Sequence, residues 1–123
     1  MTVAELLAEA RAGLDRLAAE DLPIAVRDGA VVVDIRPAAQ RAEEGELDGA
    51  LVIERNVLEW RCDPSSDART EEAVDHDVAW VVVCSEGYTS SLAAFALKRL
   101  GLHRATDLVG GYQALRRAGI NLH

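Results

Sequence analysis

Cys84 stands where an apolar run gives way to a loop and then to a helical pattern. Residues 80–92 read WVVVCSEGYTSSL, so the thiol follows three valines and precedes a loop that contains glycine and several hydroxyls. A cysteine reacts as its thiolate, and that negative charge needs stabilising neighbours. The free N–H groups at the start of the following helix and the amides of residues 85–90 can supply them. The spacing therefore favours a nucleophilic cysteine in an anion-binding loop.

Individual loop residues suggest more specific roles. Gly87 gives the backbone the freedom for a tight curve. Ser90 or Ser91 can cap the helix or donate a hydroxyl to the thiolate. Tyr88 is a candidate for the mouth of the pocket, or it packs on a neighbouring loop. A buried, inert thiol at the end of a strand is the alternative for Cys84, and spacing alone leaves both open.

Strand and helix patterns alternate along the chain and place this loop in a fold. Runs at 30–36, 50–54 and 78–83 are rich in β-branched residues, and a shorter strand pattern follows near residue 106. Amphipathic or capped helical patterns occupy residues 1–14, 18–29, 90–101 and 112–119. This alternation predicts a parallel sheet with helices on both faces. Ligands bind at the carboxyl ends of such strands, where Cys84 lies. Trp60 and Trp80 lie in apolar contexts and are expected in the core.

Composition excludes several classes of function. The 123 residues suit one domain, and a net charge of −8 disfavours nucleic acid and an anionic membrane surface as partners. Two cysteines are too few for a disulfide framework, and no signal peptide or spanning run is evident, so we expect a cytoplasmic protein. The three histidines lack metal-ligand spacing, so no metal is expected. Cys62 has no glycine-rich loop and is interpreted as a bystander.

Four segments, in order, resemble the rhodanese-like domains. VVVDIRP is similar to that family's first strand with its Asp-x-Arg signature, here Asp34 and Arg36. EEGELDGALVI resembles the segment that follows it, and VVVCSEGYTSSLAAFALKRLG resembles the active-site strand, loop and helix, with Cys84 as the catalytic cysteine. DLVGGYQALRRAGI is similar to the closing segment. The resemblance extends from about residue 15 to residue 119.

The resemblance implies an architecture. It is a three-layer α/β domain with a central, mostly parallel sheet of about four to five strands and helices on both faces. One domain would then span residues 1–123, with residues 1–14 as an N-terminal helical extension and residues 84–90 as the active-site loop. Within it, Asp34 and Arg36 are expected to support the loop rather than to react.

The resemblance also implies a sulfurtransferase that uses no metal or organic cofactor. Cys84 would take sulfur from thiosulfate or a persulfide, carry it as a cysteine persulfide, and pass it to cyanide or to a thiol, including a protein thiol. The expected anion-binding residues are those of the loop, namely Ser85, Glu86, Gly87, Tyr88, Thr89 and Ser90. A non-catalytic binding or regulatory module is the alternative from another class.

The loop departs from the family at the position of its usual arginine. Thr89 stands there, and the loop carries Glu86, which disfavours a dianion such as thiosulfate and argues against a phosphatase. Arg55 follows the second strand at the same edge of the sheet, and it is our candidate for the missing cation, with Arg61 as a second. Pairing of Arg55 with Glu59, four residues later, or with Glu86 is the open alternative.

Overall fold

The computed structural model describes residues 1–122 and contains one four-stranded sheet within them. The strands are β1 (Val31–Asp34), β2 (Leu51–Val52), β3 (Trp80–Val83) and β4 (Thr106–Asp107). They are all parallel and lie in the order β2-β1-β3-β4. This confirms the predicted α/β architecture. The edge strand β2 is shorter than the run at 50–54 because the chain turns into a 3₁₀ helix (Arg55–Val57) soon after it.

Six α-helices connect and flank the strands in the described chain. They are α1 (Val3–Ala12), α2 (Leu22–Arg27), α3 (Ala38–Glu44), α4 (Leu58–Cys62), α5 (Thr89–Arg99) and α6 (Gly111–Ala118). A 3₁₀ turn (Ala19–Asp21) precedes α2, and a proline lies in the first turn of α2, where no intrahelical donor is lost. The polar connection after β1 forms the seven-residue α3.

The core has two halves, one on each face of the sheet. Alternate strand residues point to opposite faces, so Val33 and Val82 join one cluster and Val32 and Val81 join the other. Side chains of α4 and α5 complete the first cluster, and those of α2 and α6 complete the second. Both faces of the sheet are therefore covered, as a parallel sheet requires.

The sheet brings two predicted site segments together. Asp34, at the end of β1, pairs in register with Val83, the last residue of β3. Cys84 therefore begins its loop beside the Asp-x-Arg segment. No helix in residues 1–122 is long and apolar enough to cross a membrane, and no cluster of metal-ligating side chains was found there.

Candidate active site

The loop between β3 and α5 curls around the sulfur of Cys84. The N–H of Gly87 donates a hydrogen bond to Sγ of Cys84 at 3.2 Å. The cysteine is only 5% exposed, yet it lines an open cleft of about 370 Å³. The other residues that line this cleft are Gln40, Glu44, Ser85, Glu86, Tyr88 and Thr89. The thiol is thus held by a backbone N–H and borders an open cleft.

Two glycines after β4 press directly against this loop. Gly87 has a φ of +85°, and a Cβ placed on it would lie 2.8 Å from the amide nitrogen of Gly110. A Cβ on Gly111 would collide with the carbonyl oxygen of Cys84. The close approach lets the N–H of Tyr112 donate to that same carbonyl at 2.8 Å. The glycine pair of the closing segment therefore allows the start of α6 to pack closely against the Cys84 loop.

Several loop amides have no partner in the described part of the chain. The N–H groups of Glu86, Tyr88 and Thr89 meet no acceptor among residues 1–122, whereas that of Gly87 is engaged with the sulfur. These amides lie at or next to the start of α5, where the helix dipole also favours negative charge. The arrangement can hold an anion attached to Cys84.

The carbonyl of Gly87 contacts the N-terminal segment of the chain. Its oxygen accepts from Nη2 of Arg11 at 2.7 Å and from Nη2 of Arg16 at 3.0 Å. Sequence reasoning missed both arginines, because nothing in their spacing links them to residue 87, more than seventy positions further along the chain.

Asp107 organises the polar groups behind the loop. It is fully buried and pairs with Arg16, whose Nε donates to Oδ1 at 2.8 Å. The hydroxyls of Ser90 and Ser91 both donate to Oδ2, at 2.7 and 2.8 Å. The prediction that one of these serines caps the helix or donates to the thiolate is therefore wrong, since a buried carboxylate is the stronger acceptor. Their side chains instead anchor the first turn of α5.

Glu44 places a carboxylate in the front of the cleft, which the sequence analysis did not predict. The hydroxyl of Ser85 donates to both of its oxygens, at 2.9 and 3.0 Å. Nη1 of Arg36 also donates to it at 3.2 Å. The position of Glu44 in the connection that follows β1, at the end of α3, was the one feature that could have predicted its place in the cleft. The loop hydroxyl is thus tied to a neighbouring element.

Asp34 and Arg36 form a buried ion pair behind Glu44. Nη2 of Arg36 lies 2.7 Å from Oδ2 of Asp34 and 2.9 Å from the carbonyl oxygen of Gly45. The guanidinium also stacks 3.9 Å from the ring centroid of Tyr112. Burial alone would lower the pKa of Arg36, but the carboxylates of Asp34 and Glu44 outweigh it and raise that pKa above its ordinary value. These contacts suit the supporting role expected for the pair.

The structure does not bring Arg55 into this cleft. Its Nη1 lies 2.7 Å from Oε1 of Glu59, so the local i,i+4 pair, the alternative left open by the sequence, is what forms. Arg55 lines a separate depression next to Pro37. Arg61 donates instead to the carbonyl of Ala68 at 2.8 Å. Within residues 1–122, two carboxylates and no arginine or lysine line the Cys84 cleft.

Cys62, the second thiol, lies fully buried on α4. Burial, with a smaller contribution from Glu59, raises its pKa to about 12. A thiol in that state stays protonated and unreactive at neutral pH. Of the two cysteines, Cys84 is therefore the candidate nucleophile.

Comparison with known proteins matches the chain over the segments that form this site. A family model for the rhodanese-like domain matches residues 18–118. Among solved structures, a Rhodopseudomonas palustris protein of unknown function, named a possible tyrosine phosphatase, is 28% identical with a TM-score of 0.88, covering 100% of this chain and 95% of that one. A rhodanese homologue from the extremely thermophilic bacterium Thermus thermophilus is 26% identical with a TM-score of 0.58, covering 80% and 96%.

A third solved structure shows similarity of fold alone. This rhodanese-related protein from Thermoplasma volcanium is 23% identical with a TM-score of 0.66, covering 88% of this chain and 98% of its own. A search of curated proteins found no match. The family model leaves residues 1–17 outside its match, and these include both arginines behind the loop.

Proposed function

The chain belongs to the rhodanese-like domain family, and we propose that it acts as a sulfurtransferase that carries sulfane sulfur as a persulfide on Cys84. The observation that carries the proposal is the amide hydrogen bond to the sulfur, with further unpartnered amides in the same loop. Gly87 donates to Sγ, and the N–H groups of Tyr88 and Thr89 meet no acceptor in the described chain. A persulfide is anionic at neutral pH, and free loop amides beside the sulfur can donate hydrogen bonds to such an anion.

The proposed reaction has two displacements at sulfur. In the first, the thiolate of Cys84 attacks the outer sulfur of a donor, either thiosulfate or a persulfide. A new S–S bond forms, the donor's S–S bond breaks, and sulfite or the donor thiolate leaves with the electron pair. In the second, an acceptor thiolate or cyanide attacks the terminal sulfur, and the Cys84 thiolate leaves. Cys84 thus ends the cycle in the state in which it began.

Phosphate transfer, suggested by the name of the Rhodopseudomonas palustris relative, is less well supported. A loop that binds a phosphate dianion through a cysteine gains most from a bidentate arginine, and here Thr89 stands at that position. The front of the cleft contains Glu44 and Glu86. Absence of turnover with an aryl phosphate would agree with this assignment.

Intact-mass measurement after incubation with a sulfur donor tests the proposal. Wild type and Cys62→Ala should each gain one sulfur atom from thiosulfate or from a low-molecular-weight persulfide, because both retain the reactive thiol. Cys84→Ser should gain none. Cyanide or a thiol should then remove the added sulfur with release of thiocyanate or a new persulfide.

Failure of wild type to gain sulfur from either donor would contradict a catalytic role. The non-catalytic module would then be the better account of the domain. Sulfur gain by Cys84→Ser would instead place the chemistry on another residue.

A further inference from the structure

The cysteine loop holds no cation of its own, yet the N-terminal segment places positive charge against its back. Residues 84–89 read CSEGYT, and the cleft in front of them is lined by no arginine or lysine of the described chain. Arg11 and Arg16 instead reach the carbonyl oxygen of Gly87 from behind. Both lie outside the residues matched by the family model. The charge therefore comes from outside the family's shared segments.

The orientation of one peptide group connects these arginines to the cleft. The carbonyl of Gly87 and the N–H of Tyr88 belong to the same peptide, and every peptide bond in the described chain is trans. The two groups therefore point in opposite directions, so the N–H of Tyr88 points away from the arginines. Because hydrogen bonding at the oxygen polarises the whole peptide group, the N–H becomes a stronger donor to an anion.

The two arginines differ in their net charge contribution. Arg16 is neutralised by Asp107 through a bidentate pair at 2.8 and 3.2 Å. Arg11 contacts neutral groups: Nε donates to the hydroxyl of Ser91 at 3.0 Å, and the guanidinium lies 5.4 Å from the ring centroid of Tyr88. No carboxylate in residues 1–122 lies within ion-pair distance of Arg11. Arg11 therefore has no directly paired carboxylate, and the Ser91 hydroxyl separates it from Asp107.

The remaining charges that face the loop are mostly negative. Glu44 of α3 faces it from the front and is partly balanced by Arg36. Glu86, in the loop itself, is exposed. Arg11 is thus the one unpaired cation in direct contact with the loop in the described part of the chain.

We propose that Arg11 is the positioning cation of the Cys84 loop. It fixes the Gly87 carbonyl away from the sulfur and gives the loop the positive potential that an internal arginine would otherwise provide. Arg16 shares the first role. The consequence for a persulfide rests on the proposed function, whereas the effect on the free thiolate does not depend on it.

Alkylation of Cys84 by a neutral and an anionic reagent tests this proposal directly. Rates with iodoacetamide and iodoacetate are measured at neutral pH by intact mass for wild type, Arg11→Gln and Arg11→Lys. Lys98→Met is the matched control, since Nζ of Lys98 donates to the carbonyl of Gly13 at 2.8 Å between the same segments but away from the loop. Thermal unfolding of each variant checks the fold.

The ratio of the iodoacetate rate to the iodoacetamide rate separates charge from structure. Removing one unit charge at this range should lower the ratio about fivefold in Arg11→Gln. Arg11→Lys and Lys98→Met should keep it within about twofold of wild type, since both leave a cation at position 11. An unchanged ratio in Arg11→Gln, or an equal fall in Arg11→Lys or Lys98→Met, would overturn the proposal. Because alkylation needs no sulfur donor, the proposal can hold even if persulfide formation fails.

Discussion

At the scale of single residues, the site depends on backbone groups brought unusually close together. Gly111 is the clearest case, because any side chain there would occupy the space of the Cys84 carbonyl. It also has a φ of +60°, in the left-handed region. Both properties are needed for α6 to begin directly over the loop.

Replacing Gly111 should therefore cost more than replacing a glycine of similar conformation elsewhere. Gly119 has a φ of +66° and open space around its missing side chain. We expect Gly119→Ala to cost about 1 kcal/mol of unfolding free energy, from backbone strain alone. Gly111→Ala adds a backbone collision and should cost about 2–4 kcal/mol. Urea denaturation of both variants measures the difference.

The alkylation rate of Cys84 provides a second measurement on the same two variants. Gly111→Ala must displace the loop, so alkylation of Cys84 should change, while Gly119→Ala should leave it near the wild-type rate. Equal stability losses in the two variants, with equal Cys84 rates, would contradict the close packing seen at Gly111.

The sequence identified the residues whose role depends on local spacing. Cys84, Gly87 and the start of α5 follow one another along the chain, so their relationship could be inferred from the order of residue types. The order of residue types could not show whether Arg55 or Arg11 contacts the loop. Arg55 has a carboxylate four residues away, and Arg11 reaches the loop only through the docking of α1 on α5, a contact between residues more than seventy positions apart.

At the scale of secondary-structure elements, the sheet and most helices were predictable, but the buried face of the short α4 was not. Trp60 illustrates the reason: it was expected in the core with Trp80, but it is 59% exposed. In the short α4, Leu58 and Cys62 take the buried positions, which lie four residues apart on one face. Two apolar candidates in so few residues gave no clear periodicity.

The helix α3 adds an electrostatic property that the sequence did not reveal. It ends at Glu44 and so places a carboxylate in the cleft that would receive the donor. Arg36 balances this charge only in part, because the same guanidinium also pairs with Asp34. A donor with two negative charges should therefore enter less readily than a neutral one.

Glu44→Gln tests this effect on donor choice. Glutamine keeps the shape and an acceptor for the Ser85 hydroxyl but removes the charge, so sulfur loading of Cys84 from thiosulfate should quicken about three- to tenfold. Loading from a low-molecular-weight persulfide, which carries a single negative charge, should quicken by less, about twofold. The rates come from intact mass against time.

Glu46→Gln is the matched control, since Glu46 pairs with Arg41 and does not line the cleft. It should leave both loading rates unchanged. Equal acceleration in Glu46→Gln would mean that the overall negative charge of the protein, rather than the carboxylate at position 44, limits thiosulfate.

At the scale of the whole molecule, the two thiols lie in one core cluster but differ in their access to solvent. Cys84 lies at the edge of that cluster, where the sheet ends and the loop opens to the cleft. Cys62 lies inside it, with no exposed surface. The fold thus places one cysteine at an open cleft and keeps the other protonated without any difference in their intrinsic chemistry.

The raised pKa of Cys62 makes the stability of the whole domain depend on pH in the alkaline range. Its pKa rises from an ordinary value of 9.0 to about 12 in the folded protein. Below pH 9 the thiol is protonated in both states, so its full contribution is present. Above pH 9 the unfolded chain loses this proton first, and the unfolding free energy falls as pH rises toward 12, by at most about 1.4 kcal/mol per pH unit.

Comparison of wild type with Cys62→Ala isolates this dependence, because every other alkaline group titrates in both proteins. The alanine variant should be less stable at pH 8, since it leaves a small cavity in the core. Its deficit should shrink steadily between pH 9 and pH 11, as wild type alone loses the contribution of the buried thiol. Urea unfolding at a series of pH values measures both curves. Curves that stay parallel would mean that the folded core admits the Cys62 thiolate, and Cys62 would then have to be reconsidered as a second reactive thiol.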